Sequence, residues 1–324
     1  GGHNIVLKPT GTVGRTEAIT AAVSQVAPQR TATIAGPGGV GKSHLAAEVG
    51  VTIAPHWDQG VWMVELAGIG NPDRVAGAVA SAIGAPTNPE RSRAEDVIEH
   101  LAGRRTVVIL DNCEHVSAAC RQLVTQIHAE CPTVGVITTS RQPLHVSGET
   151  VHQLQPLSMP GDLQPSTADV LASEAGQLFQ QRASAAREGF EVGEANAPAV
   201  AGICRRVDGL PLLIELAAAH ISAHTPEEIL TGLDDGDRLL ESSDSDVPDR
   251  HRTAEGLLDW SYRLLEPQEQ RLLRQLGLFS SGFTRATVAA TIPGADPDSA
   301  PSFLELRSLV DRSLVIADFG PSGT

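Results

Sequence analysis

Aromatic side chains are scarce in this chain: 3% of its 324 residues, with one tyrosine and three tryptophans. Its core therefore has to be built from aliphatic side chains and alanine-packed helices rather than from stacked rings. Long apolar runs are missing as well. Thr106–Leu110 (TVVIL) is among the longest, and a membrane-spanning helix needs about 20 consecutive apolar residues. No N-terminal stretch couples a basic start to an apolar segment, so no signal peptide is expected. Positive charge is in the minority, with 24 Lys and Arg against 39 Asp and Glu and a formal net charge of −15. Phosphate backbones repel such a chain, which argues against nucleic-acid binding by the molecule as a whole while leaving room for a local basic patch. Cysteine is limited to four residues. Cys113, His115, Cys120, His128 and Cys131 lie close together but lack the paired short spacings of a structural zinc site. Val116, Cys120, Leu123, Val124 and Ile127 recur at helical spacing, so Cys120 is read as a core residue, and Cys204 as helix packing.

What the chain does contain is 41% apolar residues, enough to bury real cores, over a length that suggests two or three compact units. The first half alternates short aliphatic strands with amphipathic segments, the pattern of an α/β fold whose parallel sheet is covered by helices on both faces. Strands are predicted at Thr31–Ala35, Val61–Leu66, Thr106–Leu110 and Val134–Thr138, with a weaker one near Val151–Leu154. The intervening helices are predicted at His44–Ile53, Pro72–Ile83, Ala94–Leu101 and Val116–Glu130. Near Pro156–Ser166 the composition shifts to Pro, Ser and Gly and reads as a linker. Helical patterns follow at 173–187, 198–207, 212–223 and 225–233, the last opening with a Thr cap, a proline and two acids. We therefore expect a sheet domain over 1–156 and a helical bundle over 167–233. An acidic, serine-rich connector (234–249) and a winged-helix-like unit (250–324) complete the reading. That last unit is predicted to have helices near 253–264, 267–277, 284–291 and 301–311 and a terminal strand at Ser313–Ile316.

The first strand runs straight into GPGGVGKS, residues 36–43, which satisfies the G-x-x-x-x-G-K-[ST] pattern at a strand-to-helix junction. Glycines at Gly36, Gly38, Gly39 and Gly41 let backbone N–H groups turn inward around phosphate oxygens, and the following helix directs its positive end at the same charge. Gly36, Gly38, Gly39, Val40, Gly41, Lys42, Ser43 and His44 are thus read as the nucleotide cradle. Lys42 faces the β and γ phosphates, and the Ser43 hydroxyl is available to Mg²⁺. A magnesium site also calls for a carboxylate at the end of a neighbouring strand, and Asp111 closes the aliphatic run Thr106–Leu110. The expected ligands are therefore a nucleoside triphosphate, ATP or its product ADP, and Mg²⁺. A nucleotide ligand together with reduced thiols points to a cytoplasmic setting.

Hydrolysis needs a group that positions or deprotonates water. Two candidates stand open: Glu65, near the end of a strand expected to neighbour that of Asp111, and Glu114, three residues after Asp111. Val134–Arg141 ends in two threonines, a serine and an arginine, at the sheet edge where ligands of such folds bind. Arg141 has the rigid fork that matches phosphate geometry and is the candidate reporter of the γ-phosphate.

Together these residues resemble the STAND-class NTPases, in particular the NB-ARC-like ATPase module of bacterial LuxR-type and antibiotic-regulator transcription factors. Val13-Gly14-Arg15 with Glu17 resembles the family's VGRE element, interrupted by Thr16. GPGGVGKS, Leu110-Asp-Asn-Cys-Glu-His115 and Thr139-Ser-Arg-Gln-Pro-Leu144 follow in the family's order. Cys204-Arg-Arg-Val-Asp-Gly-Leu-Pro-Leu212 resembles its GLPL element. Arg250-His-Arg-Thr253 with Leu258-Asp-Trp-Ser-Tyr262, and Leu309-Val-Asp-Arg-Ser-Leu314, resemble the two ends of its winged-helix part. The resemblance implies that Val13, Gly14, Arg15 and Pro211 border an adenine pocket. Asn112 departs from many relatives, which carry a second acid there, and the family's winged-helix histidine motif is expected beyond Thr324. The function implied is a slowly hydrolysing ATP/ADP switch in a larger regulator, closed with ADP and self-associating with ATP, with DNA bound only through domains outside this chain. Two other classes are kept beside it: an ATP-consuming enzyme with its own substrate, and a regulator that binds DNA through its own winged helix.

Overall fold

The computed structural model describes residues 2–7, 13–161, 165–240, 262, 265–279, 283–284, 287–288, 303–311 and 314–315. They belong to two compact units, Gly1–Gln155 and Pro156–Thr324, with the division at the start of the segment read as a linker.

The first unit is a five-stranded parallel sheet of β1 (Thr31–Ala35), β2 (Val61–Glu65), β3 (Val107–Asp111), β4 (Gly135–Ser140) and β5 (Glu149–Gln153). Its order is β2-β3-β4-β1-β5, and every pairing is parallel. The central strands β1, β3 and β4 are buried along their whole length. That is why they read as continuous aliphatic runs rather than as alternation: a parallel sheet between two helical layers has no wet face. Helices α1 (Thr16–Gln25), α2 (Lys42–Ile53), α3 (Val75–Ile83), α4 (Arg93–Leu101) and α5 (Ser117–Glu130) connect and cover the strands. Val64, Val79, Val97, Val108, Leu110, Cys120, Val124 and Ile127 share one core cluster. Cys120 thus packs inside, as its spacing predicts. Two expected helices start differently. The phosphate loop delivers its last residues straight into α2, which begins at Lys42 rather than His44. Pro72–Arg74 forms a 3-10 turn before α3, its first N–H capped by Asn71.

The second unit opens with α6 (Thr167–Ala172), α7 (Glu174–Ala186), α8 (Ala197–Arg206), α9 (Pro211–Ala219) and α10 (Pro226–Leu240). Thr225 caps α10: its backbone N–H donates to Glu228 and its hydroxyl accepts from the Glu228 N–H, which is the capping pattern written in the sequence. The helix then runs on to Leu240, seven residues into the stretch read as a connector. Its acids are compatible with a helix once the cap and the Ile229 and Leu233 contacts have nucleated it. The core contains Phe179, Ala183, Ile203, Cys204 and Ile214, all fully buried, and Arg182 pairs with Glu215 at 2.8 Å.

Further along, α11 (Pro267–Leu276) and α12 (Phe303–Asp311) meet in a small separate core of Leu265, Leu272, Leu276, Val288 and Leu309. They match two of the four helices expected there. Residues 253–261 and most of 284–291 lie outside the described residues, as does the connector beyond 240. The expected terminal strand is represented by Leu314 and Val315, which form a bend. Among the described residues no helix is long and apolar enough to cross a membrane.

Candidate phosphate-binding site

The carboxyl ends of β1, β3 and β4 bring the predicted chemistry together. Between β1 and α2 the loop 36–41 turns tightly against the chain after β5: a Cβ on Gly36 would stand 2.9 Å from the Leu154 carbonyl oxygen. Gly41, at φ +97°, caps α2 in the left-handed region, where a side chain would be strained. Lys42 is buried and folds back over the loop, its Nζ donating to the carbonyls of Gly36 and Pro37 at 2.9 Å each. Burial lowers its pKa from the ordinary 10.5. The charges of Glu114 and Asp111 oppose that shift and that of Arg141 adds to it.

Asp111 is the last residue of β3 and is itself buried. Its Oδ1 accepts from the Thr139 hydroxyl at 2.5 Å. The same hydroxyl accepts from the Asn112 N–H at 2.7 Å, so one side chain of β4 fixes both the carboxylate and the turn that follows it. Asn112 adopts φ +64°, a conformation that asparagine tolerates better than most residues. From there the chain enters the 3-10 turn Cys113–Val116. With its amide nitrogen turned toward Glu114, Asn112 donates to both carboxylate oxygens at 3.2 and 3.3 Å. Arg141 Nε stands 3.4 Å from Glu114 Oε1, and its guanidinium reaches over the loop to within 3.8 Å of a Cβ position on Gly38.

Of the two candidates for positioning water, Glu114 is thus engaged by Arg141 and Asn112. Glu65 lies in register with Asp111 on the neighbouring strand, as expected, and is exposed. Ser43 is exposed at the start of α2, and His44 stands 3.9 Å from Glu48. Arg15 ties the cradle to its surroundings, donating to the Val40 carbonyl at 3.0 Å and the Gln155 carbonyl at 2.8 Å. Val13 is partly buried and Gly14 turns the chain at φ +70°. Pro211 belongs to the second unit and opens α9. A recess of about 550 Å³ lies elsewhere in the first unit, lined by Asp96, His100 and Arg104 among others, and it contains no residue of the loop.

The donor set fits a polyphosphate with a hard cation. Backbone N–H groups and an ammonium converge at a helix N-terminus, and a hydroxyl and a carboxylate are available as oxygen ligands. Ser43 and Asp111 would hold Mg²⁺, whose chemistry is to neutralise and bridge phosphate oxygens.

Two supports of the site are not evident from the sequence. Thr139, a hydroxyl at the ligand crevice, is also the partner of Asp111. Glu149 accepts from the backbone N–H groups of Leu144, His145 and Val146 and from the Thr33 hydroxyl. The available signal was polarity inside buried strands: Thr33, Thr138 and Thr139 sit in otherwise aliphatic runs, and a buried hydroxyl needs a partner.

Known proteins are similar to this chain in sequence and in fold. A family profile described as an AAA domain matches residues 26–141. A candidate HTH-type transcriptional regulator of Mycobacterium tuberculosis is 39% identical over 293 residues, covering 90% of this chain and 32% of that protein. The chain therefore spans about a third of the regulator's length. An uncharacterized Mycobacterium tuberculosis protein is 32% identical over 312 residues, covering 95% of this chain and 76% of that protein. The regulatory protein AfsR of Streptomyces griseus is 30% identical over 295 residues, 87% of this chain and 27% of AfsR. Among solved structures, a Signal Transduction ATPase with Numerous Domains (STAND) protein with a tetratricopeptide repeat sensor from Pyrococcus horikoshii is similar in fold. Its TM-score is 0.55 at 15% identity, over 96% of this chain and 40% of that one.

Proposed function

We propose that the chain, which carries a P-loop ATPase domain of the AAA type, is a STAND-class NTPase and serves as an ATP/ADP-binding switch module of a larger cytoplasmic transcriptional regulator. The observation that carries this reading is the convergence of Lys42, Asp111, Glu114 and Arg141 on one phosphate loop. Lys42 and the loop N–H groups would hold the phosphates shared by ATP and ADP, while Ser43 and Asp111 would hold Mg²⁺. Arg141 would meet the γ-phosphate, exchanging Glu114 for it. A ligand shifts a conformational equilibrium only through contacts that differ between states, and Arg141 would make one.

Slow turnover fits the same arrangement. Glu114, the nearer candidate base, is engaged by a cation and an amide, and Glu65 is exposed at the end of β2. The roles of Val13, Gly14, Arg15 and Pro211 at an adenine base rest on the family resemblance, as do closure with ADP and self-association with ATP. A regulatory role is supported by the HTH-type and AfsR regulators that share the sequence over this region, and DNA binding would belong to parts of such a protein outside this chain.

The test is the nucleotide content of the purified, untreated protein, released by denaturation and separated by ion exchange. Stoichiometric ADP is expected, as a retained product. Protein that is empty and also fails to bind added ATP or ADP would remove the basis of the reading.

A further inference from the structure

Arg141 is exposed, and a long, exposed arginine distinguishes a triphosphate from a diphosphate only if its backbone is held at a fixed distance from the loop. The structure supplies that hold from a residue outside the phosphate site. The turn after β4 carries Arg141 and then runs through Leu144, His145 and Val146 into β5. Glu149, the first residue of β5, accepts from the Leu144 N–H at 2.8 Å, from His145 at 2.7 Å and from Val146 at 3.3 Å. The Thr33 hydroxyl of β1 donates to the same carboxylate at 2.5 Å. Since that proton is committed, the contact of 2.7 Å between Thr33 and Thr138 is a donation from Thr138 of β4. One carboxylate thus links the turn to the two strands that flank the loop. Arg121 of α5 adds a second tie, donating from Nε to the Leu144 carbonyl at 2.6 Å, and the Leu144 side chain is fully buried. His145 is held at φ +57°, a backbone state that a non-glycine residue keeps only when its surroundings impose it. On the other side, Ser140 is buried in β4 and its hydroxyl accepts from the Gln142 N–H at 3.3 Å. Arg141 therefore projects from a short segment pinned at both ends.

We infer that Glu149 is a positioning residue that sets the reach of Arg141, and so the preference of the phosphate loop between nucleoside triphosphate and diphosphate. The inference rests on the γ-phosphate reading of Arg141 given above. Glu149→Gln replaces one acceptor oxygen by an amide that faces backbone N–H groups, which releases the turn. Thr33→Val keeps the charge of Glu149 and removes its tie to β1, together with the acceptor of the Thr138 hydroxyl, so it separates positioning from any long-range effect of the carboxylate.

The experiment is calorimetric titration of the full chain, with Mg²⁺, against ADP and a non-hydrolysable ATP analogue. Arg141→Ala is expected to change the ratio of the two affinities about tenfold, within the usual range of such couplings. Glu149→Gln should move the ratio severalfold in the same direction, leaving ADP affinity within about twofold, and should add nothing in the Arg141→Ala background. A ratio unchanged in Glu149→Gln would overturn the inference, as would a shift that persists undiminished without Arg141, because that is the signature of a general structural role. If Glu149→Gln does not fold, Thr33→Val must produce a smaller shift of the same sign, and no shift refutes the proposal. An Arg141→Ala variant with the wild-type ratio would be a different failure. It would remove the γ-phosphate reading itself, and this inference with it.

Discussion

Replacing Thr139 by valine tests whether the candidate metal carboxylate is held in the way its hydrogen bonds imply. Valine has nearly the shape of threonine, so packing in β4 is preserved while the hydroxyl is lost. That hydroxyl donates to Asp111 and accepts from the Asn112 N–H, and both Thr139 and Asp111 are buried. Its loss removes a hydrogen bond to a charged group, worth about 1.5–3 kcal/mol, and leaves the Asn112 N–H without that acceptor, at about 1–3 kcal/mol. Relaxation and water entry offset part of the sum, so a loss of about 2–4 kcal/mol is expected. Thr139→Ser is the control: it keeps the hydroxyl and deletes one methyl group, for about 1 kcal/mol. Urea unfolding followed by tryptophan fluorescence reads the difference, since Trp57 and Trp62 both belong to the first unit. With a urea slope of about 2 kcal/mol/M, the valine variant should lose about 1–2 M in midpoint and the serine variant about 0.5 M. Equal midpoints for the two variants would refute the reasoning, because the hydroxyl would then contribute nothing beyond its methyl neighbour.

Two further predictions concern the frame around the site. Gly36→Ala places a Cβ at 2.9 Å from the Leu154 carbonyl oxygen and 3.1 Å from the Val40 side chain, and the backbone oxygen leaves little room to give. A loss of about 1–3 kcal/mol in urea unfolding is expected from the overpacking, together with weaker nucleotide binding, and a variant as stable as wild type would show that the loop relaxes freely. His128 is held below the ordinary 6.5 first by burial, with hydrogen bonds involving the backbone of Ser147 and Arg30 working the other way. The unfolded chain therefore binds this proton more readily than the folded one, so stability is full above pH 6.5 and is lost as pH falls through the depressed folded value. His128→Gln should flatten the slope of urea stability against pH in that window, and an unchanged slope would exclude His128 as its source.

The sheet was legible because its central strands are buried on both faces, so that TATIA and VVIL stand out as aliphatic runs between turn residues. The order of β2 beside β3 was also expected, from the general preference of such folds. One boundary moved: α10 continues to Leu240, into the stretch that composition reads as a connector, because acidic composition registers solvation and not the propagation of a helix already started by the Thr225 cap. At the site, the residues that touch a ligand were readable from motif spacing, but those that hold them were not. Thr139 and Glu149 act on groups 28 residues away or on backbone N–H groups, and no local pattern records which backbone a carboxylate meets. Glu149 in particular looks like an ordinary solvated acid ahead of an edge strand until the turn is folded onto it.

The charged side chains at the loop are matched in sign: Lys42 and Arg141 against Asp111 and Glu114. Under the proposed function a nucleotide must displace part of this set, and the two cations would yield at different cost. Lys42 is buried and gives up two carbonyl acceptors, but it gains phosphate oxygens present in ADP as well as ATP. Its contribution is therefore nearly the same for both and cannot bias an equilibrium between them. Arg141 gives up only a pair with Glu114 in which its own side chain is 61% exposed, and pairs of that kind are worth about 0–1 kcal/mol. A γ-phosphate would recover almost the whole of its charge-assisted bond to the guanidinium as discrimination. Affinity and selectivity would then reside in different residues of one site, which is why the positioning of Arg141, rather than the strength of the phosphate cradle, is the quantity that a nucleotide-driven switch of this kind has to control.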